Sequence, residues 1–163
     1  MLQEAVRRNE IAISLPPVGD AELHFIGRIL TPWQRREDAP RQGDMDGPQC
    51  TIEVFSPWSK ALEGIEKYSS LEVLYWLHQS RRDILLQSPA NNGEVHGAFS
   101  IRSPVRPNPI GTAIVTVVGV SGNHVVVRGL DCIDGTPLID IKPERSLSVP
   151  IAPPKGGHPM DVE

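Results

Sequence analysis

Residues 112–130 read TAIVTVVGVSGNHVVVRGL, and they decide the fold. Two runs dominated by β-branched side chains flank Gly122-Asn123. Such side chains fit a pleated surface and crowd a helix. A Gly-Asn pair between two of these runs marks a tight hairpin. The same texture recurs outward from this pair: LHFIGRIL (23–30), CTIEVF (50–55), LEVLYWLH (71–78), EVHGAFSI (94–101) and PLIDI (137–141) are short runs bounded by Gly, Pro or polar clusters. Asp134-Gly135 supplies a second hairpin signal. Many short strands with turn signals point to an all-β barrel or sandwich.

One stretch breaks the pattern. In SPWSKALEGIEKYSS (56–70), Ser56 is placed to cap a helix and Pro57 to open it. Trp58, Ala61/Leu62, Ile65 and Tyr68 recur at helical spacing, which predicts one helix with a buried stripe. Before the first strand, residues 1–22 read as an N-terminal extension broken at Pro16-Pro17. After Pro150, the Pro- and Gly-rich residues 151–163 read as an irregular tail. The barrel or sandwich is then 23–150.

A length of 163 residues suits one domain with a hydrophobic core. No apolar run approaches the ~20 residues of a membrane helix, and the first residues carry charge where a signal peptide would be apolar. The expected setting is cytoplasmic, with no membrane partner. Cys50 and Cys132 are the two cysteines, which excludes a disulfide framework and a zinc-finger spacing. The five histidines are scattered, so no metal is expected. The net charge of −4 argues against indiscriminate nucleic-acid binding. The cations are nevertheless lopsided, twelve Arg against four Lys. Arg35, Arg36 and Arg41, Arg81 and Arg82, and Arg102 and Arg106 fall in clusters, either solvated surface or the planar forks that suit phosphates and carboxylates.

The densest of these clusters is FSIRSPVRPNPIGTA (99–113), with prolines at 104, 107 and 109. Each proline drives its predecessor out of the helical region, so Ser103, Arg106 and Asn108 are expected to be extended. Read as a strand continuing into TAIVTVV, the stretch puts Arg102, Arg106 and Asn108 on one face, the two arginines ~13 Å apart. Read as polyproline II, it fans them out. A surface strand with edge prolines remains a purely structural alternative. A stiff backbone around guanidinium groups loses less entropy when it binds an anion.

RSPVRPNPIG closely resembles the signature of the TrmO (TsaA-like) family, and IGRILTPW, APRQG, LEGIEKYSSLEVLYWLH and GLDCIDGTPLIDIKP follow the family's order from Ile26 to Pro143. The resemblance implies a mainly β fold, a single-sheet β-barrel with one or two short helices, usually paired as a homodimer with the cofactor near the subunit interface. It further implies an S-adenosylmethionine-dependent methyltransferase acting on N6 of threonylcarbamoyladenosine beside the tRNA anticodon. No G-x-G-x-x-G follows a strand, which leaves a Rossmann-type methyltransferase unsupported.

Carried over by motif, the implied cofactor contacts are Pro40, Arg41 and Gln42, then His78 and Gln79, Arg102, Thr112, and the acidic turn Asp131, Cys132, Ile133 and Asp134. A cofactor with a carboxylate and two cationic centres suits a mixture of guanidinium and carboxylate groups. Asp131, Asp134 and Asp140 are candidates to stabilise the positive charge that reaches the accepting nitrogen, with no general base assigned among them. Arg35, Arg36, Arg81, Arg82, Arg106 and Asn108 are the candidates to hold RNA. The chain departs from the family pattern at Glu144, where an aromatic is usual, at Thr112-Ala113, where leucine and serine are common, and in ending short of the extra C-terminal domain of longer members. These departures favour two alternatives: a cofactor-binding protein without tRNA activity, or methylation of a small molecule.

Overall fold

A computed structural model of the chain describes residues 5–17, 19 and 21–144. The tail expected at 151–163 lies outside the described residues. Among the described residues, nine strands form in chain order: β1 (Ile11–Ala12), β2 (Gly27–Leu30), β3 (Cys50–Val54), β4 (Ser70–Trp76), β5 (Ile84–Gln87), β6 (His96–Gly97), β7 (Ile110–Ser121), β8 (His124–Arg128) and β9 (Thr136–Pro143). Six of them close into an antiparallel barrel in the order β2-β3-β8-β7-β4-β9. The mainly β barrel is therefore the fold. A second, small sheet of order β1-β5-β6 lies beside it, and through it residues 11–12 of the N-terminal segment pair with Ile84 and Leu86.

Strict alternation builds the core. Along β3, β4 and β8 every second side chain is sealed, and Ile29, Ile52, Leu71, Val73, Val115, Val125, Val127 and Leu138 have no solvent exposure at all. Each such side chain contributes about 1.5–3 kcal/mol of transfer free energy. The hairpin at Gly122-Asn123 joins β7 to β8, with Gly122 at φ 59° and Ser121 opposite His124.

Two local readings need correction. Residues 56–70 do not form one α-helix. They form two 3-10 turns, Trp58–Leu62 and Ile65–Lys67, separated by Gly64 at φ 86°. Leu62, Ile65 and Tyr68 are spaced by three, the period at which 3-10 side chains eclipse, and Ser56 makes no capping hydrogen bond. Asp134-Gly135 is a turn but not a hairpin. Gly135 (φ 76°) donates its amide to the Ile29 carbonyl, and the strand it opens, β9, pairs with β2 and β4 rather than with β8.

The register fixes where function can sit. Cys50 pairs with Val127, Ile29 with Thr136, and Trp76 with Ile110. The ends of β2, β4 and β8 and the starts of β3, β7 and β9 therefore share one end of the barrel. The connections 31–49, 77–109 and 129–135 all emerge there.

Candidate functional site

Those three connections carry nearly every residue singled out from the sequence. The 31–49 loop reaches the 129–135 turn by direct backbone contact. At Gly43 a Cβ would lie 1.8 Å from the Gly129 carbonyl oxygen, so only a glycine lets the two chains meet. This contact brings the 31–49 loop against the start of the 129–135 turn, and Pro40 and Leu130 line one cleft of about 230 Å³ with Trp33, Asp38 and Asp44. The cleft is smaller than a typical ligand pocket.

The acidic turn is braced from within. Asp134 Oδ1 accepts from the Thr31 amide at 2.9 Å, and the Asp134 amide donates to the Trp33 carbonyl at 2.7 Å. The Thr31 hydroxyl donates to the Cys132 carbonyl at 2.9 Å. Burial pushes the Cys132 thiol up to about 12, which keeps it protonated and unreactive.

Asp131 faces the other way. The Tyr75 hydroxyl, from β4, donates to Asp131 Oδ1 at 2.5 Å. Burial pushes the Asp131 carboxyl above its ordinary range, opposed by the Tyr75 hydrogen bond, the local backbone and the Arg102 guanidinium. Tyr75 is itself pushed far up, first by burial and then by Asp131. Arg102, exposed on the signature loop, makes no ion pair with either but lies within electrostatic range of both.

The signature loop does not continue β7. No strand covers residues 101–109, and β7 begins at Ile110, so the single-face arrangement of Arg102, Arg106 and Asn108 fails. Prolines at 104, 107 and 109 remove three ladder donors, and side chains hold the loop instead. Arg106 folds back to donate to the Ile101 and Ser103 carbonyls at 3.3 and 3.1 Å. The buried Gln87 donates to the Val105 carbonyl. Arg82 donates to the Pro107 carbonyl at 2.6 Å and to Asn108 Oδ1 at 3.2 Å, with its guanidinium 5.2 Å from the Trp76 ring.

The remaining candidates lie as follows. His78 and Gln79 are exposed in the turn after β4, tied to the signature by the Leu77 amide on the Pro109 carbonyl at 2.8 Å. Thr112 sits within β7 and donates to Glu72 Oε1 at 3.0 Å. Arg35 pairs with Asp38, and Arg81 with Asp83. Arg36 and Arg41 are exposed on the 31–49 loop. Asp140 lies in β9 opposite Leu74 and pairs with Lys142, apart from the turn that holds Asp131 and Asp134. Among the described residues, no group of three His, Cys, Asp or Glu could hold a metal, and no helix is long and apolar enough to cross a membrane.

A model of the tRNA-methyltransferase O N-terminal domain matches residues 28–146, which include the barrel and all three site loops. The chain belongs to the TrmO N-terminal domain family. Within this family it is 66% identical over 148 residues to the probable S-adenosyl-L-methionine-binding protein VirR of Rhizobium radiobacter, covering 91% of this chain and 85% of that one. It is 34% identical to the tRNA (adenine(37)-N6)-methyltransferase of Mus musculus, over 78% of this chain but 30% of the mouse protein. A crystal structure of TrmO from Pseudomonas aeruginosa superposes with a TM-score of 0.65 at 28% identity, covering 86% of this chain and 64% of that one. The TrmO domain here thus spans under two thirds of those TrmO chains.

Tyr75 carried no functional signal in the sequence, where alternation assigns it to the core. Gly111 and Gly43 stood inside quoted motifs without a reason. Their reason is close approach: a Cβ on Gly111 would lie 2.2 Å from the Tyr75 ring.

Proposed function

We propose that this protein is a cytoplasmic S-adenosylmethionine-dependent methyltransferase that methylates N6 of threonylcarbamoyladenosine in the tRNA anticodon loop. The observation that carries the reading is the convergence of three family-matched loops at one end of the barrel, with the exposed Arg102 guanidinium within electrostatic range of the Asp131 carboxyl. The donor set suits the cofactor. Arg102 can clamp a carboxylate, and Asp131 can face an ammonium or sulfonium. Pro40, Trp33 and Leu130 offer an apolar wall in the adjoining cleft.

S-adenosylmethionine, when bound, supplies an electrophilic methyl group on sulfur. The chain's own residues hold and orient. Asp131 and Asp134 would supply negative charge to the cofactor's cationic groups, and charge placed near the accepting nitrogen would favour the transition state over the ground state. Arg36 and Arg41, exposed on the 31–49 loop, are the cations best placed to meet RNA phosphate. The outer face of β7 carries an exposed apolar row, Ile110, Ile114, Val118 and Val120, which supports pairing as a homodimer.

A second reading, cofactor binding without tRNA methylation, is favoured by one observation. Arg81, Arg82 and Arg106 are engaged by Asp83 or by backbone carbonyls rather than turned out to solvent. Incubation with methyl-labelled S-adenosylmethionine and bulk tRNA, followed by nucleoside analysis, separates the two. Label in N6-methylated threonylcarbamoyladenosine supports the first. Tight cofactor binding with unlabelled tRNA supports the second, and absence of cofactor binding overturns both.

A further inference from the structure

The Tyr75–Asp131 pair is a built feature. Tyr75 is 3% exposed, yet its hydroxyl reaches a carboxylate 56 residues away in sequence. Its ring lies over Gly111, its cross-strand partner in β7, where any side chain would collide with it. The sheet therefore leaves out one side chain to admit this phenol. Among the described residues, the hydroxyl supplies the one side-chain hydrogen bond that Asp131 receives, on Oδ1. Asp131 itself is half-buried, at the end of the barrel where the three loops emerge. The phenol thus fixes one oxygen of a carboxylate that is not fully enclosed.

We infer that Tyr75 is a positioning residue of the cofactor site: its hydroxyl, on a ring seated over Gly111, fixes Asp131 by Oδ1 and so sets how that carboxylate meets a cationic group of the cofactor. The inference rests on the proposed cofactor reading and adds to it a residue that touches no ligand. The groups facing Asp131 are Tyr75 from β4, Arg102 from the signature loop and Cys132 in the turn itself. Burial keeps Tyr75 and Cys132 protonated well above neutral pH, so the titration to follow is that of the Asp131 carboxyl. Removing the hydroxyl withdraws one of the influences that hold the Asp131 carboxyl down against burial, so its titration moves to higher pH.

The test compares the wild-type chain with Tyr75→Phe and Asp131→Asn in two measurements. Carboxyl carbon-13 resonances, with Asp131 identified by its loss in Asp131→Asn, give the Asp131 titration without any ligand. Calorimetry with S-adenosylmethionine from pH 5.5 to 8.5 gives affinity. Expected for Tyr75→Phe are an upward move of the Asp131 titration and an affinity loss of about 5- to 10-fold at pH 5.5 that narrows toward pH 8.5. Asp131→Asn is expected to be weak at every pH. An unmoved Asp131 titration overturns the inference. So does an affinity loss that is the same at every pH and accompanied by a lower melting temperature, which would make Tyr75 a packing residue. If wild type binds no S-adenosylmethionine while the titration still moves, the cofactor reading fails and Tyr75 is a positioning residue for some other ligand of Asp131.

Discussion

Gly43→Ala is the substitution for which the structure works out the largest disturbance to the site. The added Cβ would lie 1.8 Å from the Gly129 oxygen, against 3.4 Å or more in ordinary contact. One strand of backbone must recede by about 1.6 Å. Gly129 has little room to recede on its own Cβ side, where an added carbon would already come within 2.9 Å of the Ile114 carbonyl and the Met45 sulfur. The 40–43 loop must yield instead, carrying Pro40, Arg41 and Gln42 away from the acidic turn. Backbone overlap of this size falls at the upper end of overpacking costs, about 3 kcal/mol. For a chain of this size that lowers the melting temperature by about 6–12 °C. Circular dichroism melts would read the stability, and calorimetric titration with S-adenosylhomocysteine would read the site. A variant that melts within about 2 °C of wild type and binds with unchanged affinity would refute the claim that this backbone contact sets the loop.

Three further outcomes follow from the same geometry. Arg102→Ala should leave the melt unchanged and cost about 1.5–3 kcal/mol of cofactor affinity by titration, the worth of a hydrogen bond to a charged group. Asp131→Asn should raise the melting temperature at pH 7. The carboxyl titrates above its ordinary value in the folded chain, so the native state binds that proton more tightly, and the stability it confers at low pH is lost as pH rises through the raised value. The gain should therefore vanish near pH 3, and a gain equal at both pH values would sink the assignment. Cys132, pushed to about 12, holds about one part in ten thousand as thiolate at pH 8. Iodoacetamide should therefore modify it only after unfolding, as mass spectrometry would register.

Most of the barrel was legible because its information is local. β-Branched and apolar runs such as Leu71–Tyr75 and Val125–Val127, bounded by turn residues, announce strands whatever the partner strand is. The errors arose where a local signal has two physical outcomes. Leu62, Ile65 and Tyr68, at a spacing of three, satisfy an α-helical stripe and a 3-10 turn equally well, and Gly64 decides between them. Prolines at 104, 107 and 109 forbid a helix, but they equally forbid a ladder. What shapes that loop is Arg82 and Gln87, whose targets lie 25 and 18 residues away. The resemblance located the site motifs without saying why they hold together. The Gly43–Gly129 contact and the phenol over Gly111 are distances between remote residues, which no run of sequence states.

The barrel's closing order has a consequence for biosynthesis. β9 is the last strand among the described residues and the one that bridges β2 to β4. A nascent polypeptide that has emerged only as far as Leu130 leaves both of those edges bare, each able to pair with a neighbouring molecule. The final dozen or so residues of the barrel act as the zip of the whole domain, so a chain cut before Thr136 is expected to precipitate rather than fold to a smaller barrel.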